Sequence, residues 1–250
     1  MMNCRHLIAW LTVTFVALFA VEAKGQQLRV PDNEDVLRRT IDIESPYFLD
    51  RLMAKYLAGN ERLTDEQMFY LYYGYANSAA YRPLEPIEAE DRVLVVVEKI
   101  MSEPTEENMR ELVERAQEVM ERDPFSPKNL NLLAFAYGSL GDTLNERRCF
   151  ERLEGVLGTI ERSGSGTKEG SPMHVLRFEH AADVVHARGL EVKRREVVSR
   201  TCEFIFLTMK DKEGNQGYYF DFSRVYWVRG DEPKREKEPR GWTINNLPLK

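Results

Sequence analysis

The chain has 250 residues, 30% of them charged, and a formal net charge of −6. The two signs are mixed along its length and no basic stripe occurs, which argues against nucleic acid as a partner. This length suits one large domain or two small subdomains that share a core.

Arg5 and His6 precede an apolar run from Leu7 to Val21 that only two threonines interrupt. The run is shorter than the roughly 20 residues of a membrane-spanning helix. Permissive residues follow at Val21, Glu22 and Ala23, so residues 1–23 read as a signal peptide cleaved after Ala23. The expected mature chain is periplasmic or extracellular, without a membrane span. Cys4 lies ahead of the apolar run, where a lipid-anchored precursor would not carry it. Its removal leaves Cys149 and Cys202, a pair that an oxidising compartment could join, although two packed thiols are the simpler expectation.

Residues 24–45 are polar and read as a flexible arm. A helical layer is expected over 46–162. Its first helix follows Ser45-Pro46 and runs to about Leu57, and Thr64 with Gln67 forms a capping-box pattern ahead of the tyrosine-rich second helix. The segment Glu88–Met101 reads as a helix whose valines would also suit a strand. Thr105 then caps a helix with Met109, Leu112, Val113, Ala116, Val119 and Met120 on one stripe. Ser126-Pro127 starts the next helix, and Leu144 to Ile160 carry the last one. Short connections make these neighbours antiparallel hairpins, and DPFSP with LLAFAYGSLGD is similar to one tetratricopeptide unit.

Residues 163–230 read as a β-rich subdomain sharing that core. It contains the loop SGSGTKEGSPMH, a helix ending near Gly189, and strands over Thr201–Met209 and Gly217–Val228. Cys202, Phe204 and Phe206 alternate onto one strand face, and Tyr218, Phe220 and Phe222 onto another, with the helical layer expected to cover both sets. Residues 231–250 read as a charged tail. The fold class is therefore α+β: a tetratricopeptide-like helical-hairpin layer packed with a small antiparallel β-sheet.

Five patches, LYYGYANSAAYRP, LAFAYGSLGD, IERSGSGTKEGSPMHVL, CEFI and YFDFSR, together resemble the exported Bacteroidetes proteins grouped as domain of unknown function 4919. The resemblance implies export and a shared fold, and it carries no established activity. Ser165 and Glu203 depart from the family, which tends to place an acidic residue in the loop and an aspartate after the strand cysteine.

The glycine loop is not a phosphate cradle, because a helix precedes it and Thr167-Lys168 reverses the order that a Walker A loop needs. His180 and His186 do not share a helical face, since a step of six residues rotates the side chain by roughly 240°. Glu179, Asp183 and His186 do share one, and His174 could approach them. That set could hold zinc or iron, or act as acid and base, but an acidic, solvent-facing stripe is the simpler reading. Cys202 reads as a packing thiol and no catalytic signature is present. Tyr70, Tyr73 and Tyr81 could stack on a glycan or line a peptide groove.

The sequence thus points to an exported, non-catalytic binding or scaffolding protein of the bacterial cell envelope, with an unidentified protein or glycan partner and no cofactor. Its alternatives are a metal-dependent hydrolase using His174, Glu179, Asp183 and His186, or a glycan binder using the tyrosines.

Overall fold

The computed structural model describes residues 28–226 and two short strands, β5 (Thr243–Ile244) and β6 (Leu247–Pro248), which pair antiparallel. The segments read as a signal peptide and as most of a charged tail lie outside the described residues. Among the described residues no helix is long and apolar enough to cross a membrane.

Within the segment read as a flexible arm stands a helix, α1 (Asn33–Ile41). Asp32 caps it by accepting from the backbone N–H groups of Glu34 and Asp35. Val36 and Thr40, one turn apart, are its buried residues. Thr40 packs so closely on Gly74 that a Cβ there would lie 2.6 Å from the threonine methyl. A two-residue stripe in a polar segment is too short a pattern to reveal this contact.

Ser45 and Pro46 form a turn ahead of α2 (Leu49–Ala58), which ends at Gly59 in the left-handed conformation. In α3 (Asp65–Tyr75) the Thr64–Gln67 capping box is formed, and every residue from Met68 to Tyr75 is buried. This helix is the axis of the larger apolar cluster, which also takes in Ile205, Tyr218 and Phe220.

The valine-rich segment is helical, as α4 (Ala89–Ser102). It is followed by α5 (Glu106–Arg122), α6 (Pro127–Ser139) and α7 (Thr143–Glu161), capped by Thr105, Ser126 and Asp142 respectively. The resulting hairpins α4–α5 and α6–α7 share a second cluster built on Val93, Leu112, Val119 and Ala134.

After α7 the glycine loop doubles back. Gly166, at φ +70°, donates its N–H to Ser171 O at 2.8 Å and accepts from Tyr219 N at 2.7 Å. Gly164 lies so close to the returning chain that a Cβ would sit 1.9 Å from Pro172 O. The loop is therefore a turn stapled to the sheet.

Beyond it come β1 (Met173–His174), α8 (Phe178–Ala187), β2 (Val192–Val197), β3 (Cys202–Leu207) and β4 (Gly217–Asp221). The sheet order is β1-β4-β3-β2. The sheet is mixed and not purely antiparallel, because β1 lies parallel to β4. Strand β2, VKRREV, was not foreseen. As an edge strand with exposed side chains it needs no apolar alternation.

Register settles which side of the sheet meets the helices. Ile205 stands opposite Tyr218, both buried, so Ile205 and Leu207 face the core beside Tyr218 and Phe220. Phe204 and Phe206 point the other way. Phe204 stacks with Phe206 and Tyr219 at ring separations of 4.7 and 4.5 Å, and the Arg194 guanidinium lies 3.6 Å from the Phe206 ring. The helical layer thus covers the β4 aromatics and not the β3 pair. Finally, buried Arg224 reaches back to the start of the domain, donating to Pro31 O at 3.0 Å and to Asn33 Oδ1.

Candidate functional site

The tyrosines singled out from sequence are enclosed: Tyr70, Tyr73 and Tyr81 are 1%, 0% and 8% exposed. Tyr70 donates to Asp35 Oδ2 at 2.8 Å and accepts from Arg29. Tyr73 donates to His174 O at 3.0 Å and Tyr81 to Leu176 O at 2.6 Å. Burial pushes the Tyr73 and Tyr81 hydroxyls well above the ordinary phenol range, so both remain donors. Together with Tyr72, which accepts from Leu176 N, they satisfy the backbone of residues 174–176 against α3.

The four residues considered as metal ligands are dispersed. His174 lies 3.2 Å from Asp221 on the neighbouring strand, although the contact is poorly angled for a hydrogen bond. Glu179 is exposed and faces Arg177, His186 is exposed, and Asp183 accepts from Lys128 N at 3.2 Å. Among the described residues no group of three or more His, Cys, Asp or Glu side chains is placed to hold a metal ion. Cys149 and Cys202 are both free and buried, and burial pushes each thiol up to about 11.

Asp183 contributes to the N-terminus of α6, beside the Ser126 cap. Burial, against the pull of His180 and Lys128, raises its carboxyl from 3.8 to about 6. The folded protein therefore holds this proton more tightly than the unfolded chain, and stability falls as pH rises between those two values. Asparagine can still accept from Lys128 N but cannot ionise. Allowing for partial exposure, Asp183→Asn should be about 1–2 kcal/mol more stable than wild type above pH 7 and no more stable below pH 4. Urea midpoints measured across pH check this.

His180 is fully buried in a relay. Its Nε2 lies 2.9 Å from Asp123 Oδ2 and its Nδ1 2.8 Å from the Tyr72 hydroxyl. Burial works against ionising Asp123, but His180 and Arg177 overcome it and hold the carboxyl below its ordinary value. An ionised Asp123 accepts from Nε2–H, and in the neutral imidazole that leaves Nδ1 to accept from the Tyr72 hydroxyl. The relay is enclosed: His180, Tyr72 and Asp123 are all buried, packed beside Phe125 and Tyr75.

Open space lies instead where α2 ends against α5, α6 and α7, in a cleft of about 210 Å³. Leu57, Met120, Pro124 and Leu133 give it an apolar floor. Arg148 and Arg152, one turn apart on α7, form one wall. Arg148 donates to Gly59 O, Asn60 Oδ1 and Asn145 Oδ1; Arg152 donates to Tyr56 O and Leu57 O. Their partners are thus neutral oxygens, all but that of Asn145 at the C-terminal end of α2, and no described carboxylate lies within 4.0 Å of either guanidinium. Tyr137 accepts from Gln117 Nε2 at 2.9 Å, which leaves its own hydroxyl hydrogen to donate. The Cys149 thiol, neutral at its raised value, completes the lining.

Sequence reasoning passed over this cleft, although one signal was present. Like charges four residues apart weaken an isolated helix, so Arg148 and Arg152 needed an outside reason to stand together. The C-terminal carbonyls of α2 supply it.

No curated protein and no solved structure matches the chain. A family model does match, over residues 36–228, a span that includes the relay, the cleft and the sheet. The chain accordingly belongs to the family described as Domain of unknown function (DUF4919).

Proposed function

We propose that this is an exported, non-catalytic binding protein of a bacterial cell envelope, and that its partner is a protein engaged through the cleft between α2 and α5–α7. The observation that carries the reading is the pair of arginines with no described carboxylate within 4.0 Å, on the wall of a partly apolar hollow. Such a hollow combines a surface worth burying with charged groups that orient what enters. The α4–α7 hairpins, similar in construction to tetratricopeptide units, give it a rigid frame. Export rests on the apolar run Leu7–Val21 and the cleavage pattern at Ala23.

Photo-crosslinking in the cells that make the protein tests this reading. Benzoylphenylalanine at exposed Gln117, on the rim, should yield a discrete adduct with one envelope protein, whereas the same group at exposed Glu98 on α4 should not. Equal adducts from both positions, or none from Gln117, would overturn it.

A further inference from the structure

The cleft has donors in excess. A guanidinium carries five N–H donors; Arg152 uses its Nε and Nη2, leaving Nη1 unspent, and Arg148 makes three hydrogen bonds. The Tyr137 hydroxyl has a hydrogen to give. The nearby acceptors are occupied: Asn145 Oδ1 and the α2 carbonyls take the arginines, and Tyr56 donates to Pro124 O.

Charge points the same way. A helix C-terminus offers the equivalent of about half a negative charge, against two full positive charges here. The carboxylates that line the adjoining hollow are paired with other cations, Glu61 with Lys55, Asp65 with Arg162 and Glu151 with Arg147. Asp142 accepts from Asn145, which together with the more distant charge of Arg148 holds its carboxyl below the ordinary value, but it lies beyond 4.0 Å of that guanidinium. In a chain of net charge −6, two arginines with no described carboxylate within 4.0 Å are a site short of a contacting anion.

From this we infer that the cleft binds a carboxylate attached to an apolar group, with Arg148, Arg152 and the Tyr137 hydroxyl on the carboxylate and Leu57, Met120 and Leu133 around the apolar part. A planar carboxylate matches the guanidinium fork, and the floor takes a chain of a few carbons. Such a group is either the C-terminal residue of a peptide or a free organic acid. The inference rests on the reading of the cleft as the binding site and adds the chemistry it selects.

The test uses the full mature chain and four probes: hexanoate, hexanamide, and acetyl-Ala-Ala-Leu as the free acid and as the C-terminal amide. Chemical shifts of the Met120 methyl group report occupancy. The acids should bind at least ten-fold more tightly than their amides, and binding should weaken with salt and in Tyr137→Phe. If the peptide acid alone binds, the source is a chain terminus; if hexanoate binds as well, it is a free acid site. Acid and amide binding alike would overturn the inference while leaving the cleft as a docking site. Failure of all four probes to shift Met120 would also overturn it, whereas the proposed function is decided separately by the Gln117 adduct.

Discussion

Asp123→Ala should cost the fold about 3–5 kcal/mol, because it leaves His180, fully enclosed, without the acceptor of its Nε2 proton and Arg177 without its buried anion. For a domain of this size that lowers the melting temperature by on the order of 10 °C. His180→Ala should cost a similar amount, since it strands the Asp123 carboxylate and the Tyr72 hydroxyl. The two changes act on one network, so the double variant should fall short of the sum by about 1 kcal/mol or more. Additive losses in calorimetry would show that Asp123 and His180 do not act as a unit. The sign with pH follows from the lowered carboxyl: ionised Asp123 stabilises the fold at neutral pH. This contribution fades only as pH drops below the ordinary aspartate range of about 4.

Gly164→Ala is the second large effect. The new methyl would sit 1.9 Å from Pro172 O and 2.9 Å from Ser171 O, both backbone atoms that cannot rotate away. The loop must open, loosening the Gly166–Tyr219 staple and the hydrogen bond from His174 N to Ser163 Oγ. We expect a loss of about 2–4 kcal/mol. Gly170→Ala in the same loop meets nothing within 4 Å and should stay within about 0.5 kcal/mol of wild type. Equal urea midpoints for the two variants would remove the close approach as the reason for glycine at 164.

What the sequence revealed and what it hid divide along the range of the forces involved. Thr64 with Gln67, Thr105, and Ser126 with Pro127 act within one helical turn, so their spacing alone announced three helix starts. The partners of His180 lie 57 and 108 residues away, and no local period connects them. The tyrosines of α3 and Tyr81 beyond it carry a strong local signal of aromatic surface, but whether that surface stacks on a ligand or anchors residues 174–176 depends on segments about a hundred residues distant. Arg148 and Arg152 were passed over for the same reason: the carbonyls that hold them belong to a helix some ninety residues earlier. Strand β2 escaped notice because its partner supplies the sheet contacts while its own side chains stay wet.

The bond from Arg224 to Pro31 spans 193 residues. A nascent chain cannot close this clasp, nor roof α3 with β4, until almost the whole domain has been synthesised. Long loops must close before those contacts form, so the domain should fold slowly, and its early segments should stay available to holding factors until the last strand arrives.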